Sequence, residues 1–106
     1  MIKKFVKYTD EPKDKEYFLL ERNTKVHNIV LIQILSDLVK DYYHNTYNAK
    51  YYMPYEFNLK INYNLKGKFF YKRDETEPWI IIWRGINEEE ALDEYNMIEN
   101  QNKYNL

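Results

Sequence analysis

Ten residues constrain this chain more than any others. From Tyr55 to Asn64, Tyr55, Phe57, Leu59, Ile61 and Tyr63 alternate with Glu56, Asn58, Lys60, Asn62 and Asn64. Period two over that length makes a strand with one buried and one wet face, and it excludes a helix there. The next residues, Asn64-Leu65-Lys66-Gly67, fit a type I turn with glycine supplying the left-handed residue that matches hairpin twist. The return strand is Lys68 to Arg73. After the acidic turn Asp74-Glu75-Thr76-Glu77-Pro78 comes Trp79-Ile80-Ile81-Ile82-Trp83-Arg84, apolar on both faces, as in a strand covered on both sides.

The flanking segments are placed by weaker signals. Residues 2–8 and 17–22 read as two strands of a hairpin around Thr9–Asp14, with either Ile2, Lys4, Val6, Phe18 and Leu20 or, at the opposite parity, Phe5, Tyr17 and Leu19 as the inward set. In residues 24–44, Gln33, Ser36, Asp37, Lys40, Asp41 and His44 recur at steps of three and four, which predicts a helix with one polar face. The β-branched run around Ile29–Ile34 leaves a strand as the alternative. Residues 45–54 read as a connection that stops at Pro54. Gly85 ends the last strand, and Asn87 with Glu90 three positions on forms a capping-box pattern opening a final helix with Ala91, Leu92, Tyr95 and Ile98 as its buried stripe. The resulting expectation is an α+β domain over residues 1–106, ordered β-β-α-β-β-β-α, with helices packed on an antiparallel sheet and residues 101–106 as a frayed tail. With 106 residues, folding buries about 65% of the surface an unfolded chain exposes, enough for one core without staples.

Several function classes lack their residue types. There is no cysteine, so neither a disulfide framework nor a thiolate metal site. Ser36 is the only serine and has no nucleophile-elbow context, and Gly67 and Gly85 are too isolated for a phosphate-cradling loop. Asp37, Asp41 and His44 could face one metal ion at i, i+4, i+7, but a solvated helix face flanked by Lys40 is by far the commoner origin of such a stripe. His27 reads as a packed or capping residue. The expectation is a protein that is not an enzyme, with no metal and no cofactor. No apolar run reaches membrane-span length, and the N-terminus lacks a signal-peptide core, so a soluble cytoplasmic protein is expected.

Charge is sorted along the chain although the net charge is only −1. Residues 57–73 carry five cations, Lys60, Lys66, Lys68, Lys72 and Arg73, and no acid. Residues 74–100 carry nine acids against Arg84 alone. The basic aromatic hairpin could track a nucleic-acid backbone, with Asn58 and Asn62 beside Lys60 and an outward aromatic stacking on a base. Lysines that blunt an edge strand would look the same. The acidic end, Glu75, Glu77, Glu88, Glu89 and Asp93, could instead meet a basic groove on another protein, although helix capping accounts for part of it. Twelve tyrosines exceed what one core of this size needs, and Tyr47, Tyr51, Tyr52 and Tyr55 gather around the 45–54 connection, where interface residues are often found.

Phe, Tyr, Met, Ile, Asn and Lys make up 55 of the 106 residues, a bias toward A/T-rich codons. A small, cysteine-free, tyrosine-rich chain of this kind resembles the accessory proteins of phages and other mobile elements. The unit from Tyr55 to Asn100, entering its helix through Gly85-Ile86-Asn87-Glu88-Glu89-Glu90-Ala91, is also similar to the arm-binding domains of phage integrases, whose three-stranded sheets read DNA; the likeness covers under half the chain. Together these features point to a small binding protein that docks on a host protein, such as a nucleic-acid-handling defence enzyme, and inhibits it as anti-CRISPR proteins do. The alternatives are a DNA- or RNA-binding module using hairpin 57–73, and an assembly protein that forms homodimers or larger oligomers through tyrosines.

Overall fold

A computed structural model describes residues 11–23, 27–35, 39–40, 45–64, 67–70 and 77–104. Seven strands come first: β1 (Tyr17–Asn23), β2 (His27–Ile34), β3 (Val39–Lys40), β4 (Asn45–Met53), β5 (Phe57–Tyr63), β6 (Lys68–Phe70) and β7 (Trp79–Gly85). Helix α1 (Glu88–Tyr104) follows and is the single helix among the described residues.

The strands are hydrogen-bonded in the order β2-β1-β7-β6-β5-β4-β3, and a further pairing of β2 with β4 closes the sheet on itself. Every pairing is antiparallel. The product is a closed six-stranded barrel in which neighbours in sequence are neighbours in space. The two-residue β3 lies on the edge of β4 that β2 also uses: Ile34 pairs with Ala49, Leu35 N–H donates to the Asn48 carbonyl at 2.8 Å, and Val39 pairs with Thr46.

This architecture corrects the expected order. The helix predicted over residues 24–44 is absent: residues 27–34 and 39–40 are strands, while 24–26, 36–38 and 41–44 lie outside the described residues. The reason is burial on both faces of β2. Val30, Ile32 and Ile34 point into the barrel, whereas Ile29 and Leu31 lie under α1. A strand with both faces covered has no polar side to show, and its β-branched residues suit the pleat. The expected 45–54 connection is strand β4, with Tyr47, Ala49 and Tyr51 inward. The expected strand over residues 2–8 lies outside the described residues. Helix α1 continues through residues 101–104, where a frayed tail was expected.

Period-two alternation fills the lumen. Phe18 and Leu20 from β1, three residues of β2, three of β4, Ile61 and Tyr63 from β5, Phe69 from β6, and Trp79 and Ile81 from β7 form one cluster. Fully burying each aliphatic or aromatic side chain contributes about 1.5–3 kcal/mol. Edge-to-face contacts such as Phe18 with Phe69, centroids 5.0 Å apart, order the rings. A second cluster lies outside the barrel, where Ala91, Leu92, Tyr95 and Ile98 of α1 cover Tyr17, Leu19, Ile29, Leu31, Ile82 and Trp83.

Strand β7 serves both clusters by alternation, and a bulge resets which way its last residues point. Leu20 faces Ile81 and Leu19 faces Trp83, which leaves Ile82 as an extra residue without a register partner. The alternation therefore resets: Ile82 and Trp83 both join the helix layer, and Arg84 swings back toward the lumen over the Phe18 ring, 4.6 Å from its centroid. There it meets Glu16. The local turns follow sequence rules. Gly67 has φ 78° and donates its N–H to the Asn64 carbonyl at 3.1 Å, as the hairpin reading requires. Asn87 Oδ1 accepts the Glu90 N–H at 2.9 Å, the expected N-cap bond.

Candidate docking surfaces

Two surfaces carry the residues singled out in the sequence, and the structure redistributes both sets. Glu88, Glu89 and Asp93 are exposed in the first turns of α1, around a shallow depression of about 340 Å³ lined by Asn87, Glu88, Glu89 and Leu92. Glu77 is not with them. It precedes β7 whereas the helix follows it, so the length of that seven-residue strand, about 20 Å, lies between. Glu77 instead pairs with Arg22 at 3.7 Å, and the Arg22 guanidinium stacks on Trp79 at 4.6 Å. Glu75 lies outside the described residues.

The tyrosines divide in the same way. Tyr47 and Tyr51 are 2% and 7% exposed, part of the barrel core and unavailable to a partner. Burial pushes the Tyr47 phenol up to about 12. Tyr52 has the opposite parity on β4 and lies on the outside, its ring edge-on to Tyr17 with centroids 5.6 Å apart. Its hydroxyl donates to Glu88 Oε1 at 2.9 Å, and that hydrogen bond, ahead of burial, raises its pKa to about 12. On its other side, Lys50 Nζ lies 4.9 Å from the Tyr52 centroid and is ion-paired with Glu56. A continuous chain thus runs Glu56, Lys50, Tyr52, Glu88, from the β4–β5 turn to the helix N-terminus. The same turn exposes Tyr55 (76%) and Phe57 (48%). The sequence placed Tyr55 in the tyrosine cluster and also read both Tyr55 and Phe57 as buried positions of the alternating strand, but β5 begins only at Phe57 and both rings are exposed. Phe57 does touch Tyr51, centroids 4.5 Å apart, but half of its surface stays in water.

The basic set is thinner than the sequence implied. Lys60 is exposed on β5 and Lys68 half-buried on β6; Lys66, Lys72 and Arg73 lie outside the described residues. Asn62 is buried and accepts the Thr46 hydroxyl at 2.6 Å, so it is not a free contact. Asp37, Asp41 and His44 also lie outside the described residues, and among those described there is no group of three or more acidic or histidine side chains placed to hold a metal ion. No described helix is long and apolar enough to cross a membrane. Compared with protein-family models, with curated proteins and with solved structures, the chain matches none.

Proposed function

We propose that this is a small non-enzymatic binding protein that docks on another protein through the surface joining α1 to the β4–β5 turn. The observation that carries the reading is the Tyr52–Glu88 hydrogen bond, which ties an outward tyrosine to the acidic helix start. Beside it stand Tyr55, Phe57, Glu56 and Glu89. Large aromatics exposed next to carboxylates are costly to leave in water and suit an interface, where rigid rings supply area and the charges select a basic counterpart.

Such a surface fits a protein whose groove is lined with lysine and arginine, the chemistry of proteins that handle nucleic acid. Occupying that groove would inhibit its owner. A phage or mobile-element gene encoding an inhibitor of a host defence protein accounts for the small size, the codon-biased composition and the acidic surface together.

The test is a comparison of wild-type protein with a Tyr55→Ala/Phe57→Ala/Glu88→Lys variant as bait for host proteins, with circular dichroism confirming that both fold. A specific partner that is captured by the wild type, lost by the variant and bound by purified protein supports the reading. If every captured protein is retained equally by the variant, this surface is not the interface.

A further inference from the structure

Helix α1 is attached to the barrel differently from the way the strands are attached to one another. Its backbone hydrogen bonds close within the helix, so lifting it away breaks no rung of the sheet. What holds it is side-chain burial against β1, β2 and β7, and little of that burial is complete. Of residues 88–101, Ala91 and Tyr95 alone are buried. Leu92 and Ile98 are half-buried, and so are Ile82 and Trp83 in the same cluster. The lumen cluster is built from strand residues, and Phe18, Leu20, Ile32, Ile34, Ile61 and Phe69 within it are wholly enclosed. The barrel therefore keeps its core when the helix leaves.

The start of the helix combines a loose link with a firm contact. Ile86, 77% exposed, joins β7 to α1 through solvent. Glu88, the first residue of α1, accepts the Tyr52 hydroxyl at 2.9 Å. Tyr52 is itself fixed, edge-on to Tyr17 and with Lys50 Nζ 4.9 Å from its centroid.

We infer that α1 is a strap that opens from an intact barrel as a separate step, and that the Tyr52–Glu88 hydrogen bond is the latch that holds it shut. Elements held by few buried contacts open at lower free energy than core strands. Opening uncovers Tyr17, Leu19, Leu31 and Trp83. It also leaves a 17-residue helix that is not alanine-rich without the packing that stabilises such helices, so its amides lose protection. The consequence for binding rests on the docking reading given above. Glu88 and Glu89 belong to α1, whereas Tyr55, Glu56 and Phe57 belong to the β4–β5 turn, so the two halves form one surface only while the latch is closed. A partner that grips both halves holds the strap down, and loosening the strap weakens the partner by the same factor.

The experiment is amide hydrogen exchange on the whole chain, followed residue by residue by NMR with no partner present. Expected is protection of residues 92–98 about tenfold or more below that of residues 18–20, whose strand is paired on both sides. Tyr52→Phe is expected to speed exchange in the helix about tenfold and to leave residues 18–20 nearly unchanged. Ile61→Val, which trims the lumen, should do the reverse, speeding residues 18–20 about fivefold with little effect on the helix. Equal protection of helix and β1 in the wild type overturns the inference. So does a Tyr52→Phe variant that speeds both alike, or neither. Because no partner enters this measurement, its failure is distinct from failure of the capture experiment.

Discussion

Arg84 forks onto Glu16, Nε to Oε2 at 2.6 Å and Nη2 to Oε1 at 2.8 Å, with the two side chains only 6% and 8% exposed. Glu16 Oε1 also accepts the Lys13 N–H, and Arg84 Nη2 reaches the Glu11 carbonyl. The pair closes one end of the lumen with polar groups that satisfy each other. Breaking such a pair is costlier than never having it, because the survivor stays buried and charged. Glu16→Gln or Arg84→Met alone is expected to lower stability by about 3–5 kcal/mol, and Glu16→Leu/Arg84→Met to recover most of that loss. Urea denaturation of the three variants checks this; equal losses in single and double variants would refute it.

Lys15 holds φ 62° in the turn before β1 while its N–H donates to the Ile34 carbonyl at 2.8 Å. A side chain in that region costs about 1 kcal/mol. Lys15→Gly is therefore expected to leave stability unchanged or raise it by up to about 1 kcal/mol, and Lys15→Val to lower it. The denaturation midpoint should fall in Lys15→Val and should not fall in Lys15→Gly.

Gly85 gives the Trp83 indole its space. A Cβ at position 85 would sit 2.8 Å from two ring carbons, so the ring must shift, and it is packed against α1. Gly85→Ala is expected to cost about 1–3 kcal/mol and to change the tryptophan emission spectrum. An unchanged spectrum with unchanged stability would show that the indole has room to move.

Tyr52 and Tyr47 both ionise late, at about 12, the first mainly through its bond to Glu88 and the second mainly through burial. Their folded pKa values lie above the unfolded value near 10. The neutral phenols therefore contribute stability that is complete below pH 10 and is lost as pH rises toward 12. Phenolate absorbance should show both residues in the last ionising group, and Tyr52→Phe and Tyr47→Phe should each remove one phenol from it. A variant that removes an early-ionising phenol instead contradicts the assignment.

What the sequence disclosed depended on whether one rule governed a segment. β5, the Asn64–Gly67 turn and the Asn87 cap each follow a local rule and were legible. The two-sided covering of β7 holds only in part: Ile81 and Ile82 belong to different clusters, but Ile80 is 47% exposed. The same logic applied to Ile29–Ile34 would have found β2, but polar residues at helical spacing after Gln33 outweighed it. β4 also carried a signal, Tyr47-Ala49-Tyr51 alternating with Thr46-Asn48-Lys50, masked by its asparagines. The bulge at Ile82 had no signature, because an extra residue in a strand apolar on both faces leaves the pattern unchanged. Hence the inward turn of Arg84 could not be read. The aromatic surface was misjudged for a related reason: composition counts tyrosines, while parity decides that Tyr51 is core and Tyr52 is surface.

The join between β1 and β7 also bears on how the molecule assembles in time. Glu16 and Arg84 are 68 positions apart, yet the barrel is a ring only once their strands meet. Every other pairing in the ring joins strands that follow each other closely along the chain. Hairpins can therefore accumulate early as an open, curved ribbon, while the last seam waits on a long and entropically slow loop closure. Helix α1 packs across β1, β2 and β7, the strands that this closure brings together, so its docking site is completed by the same event.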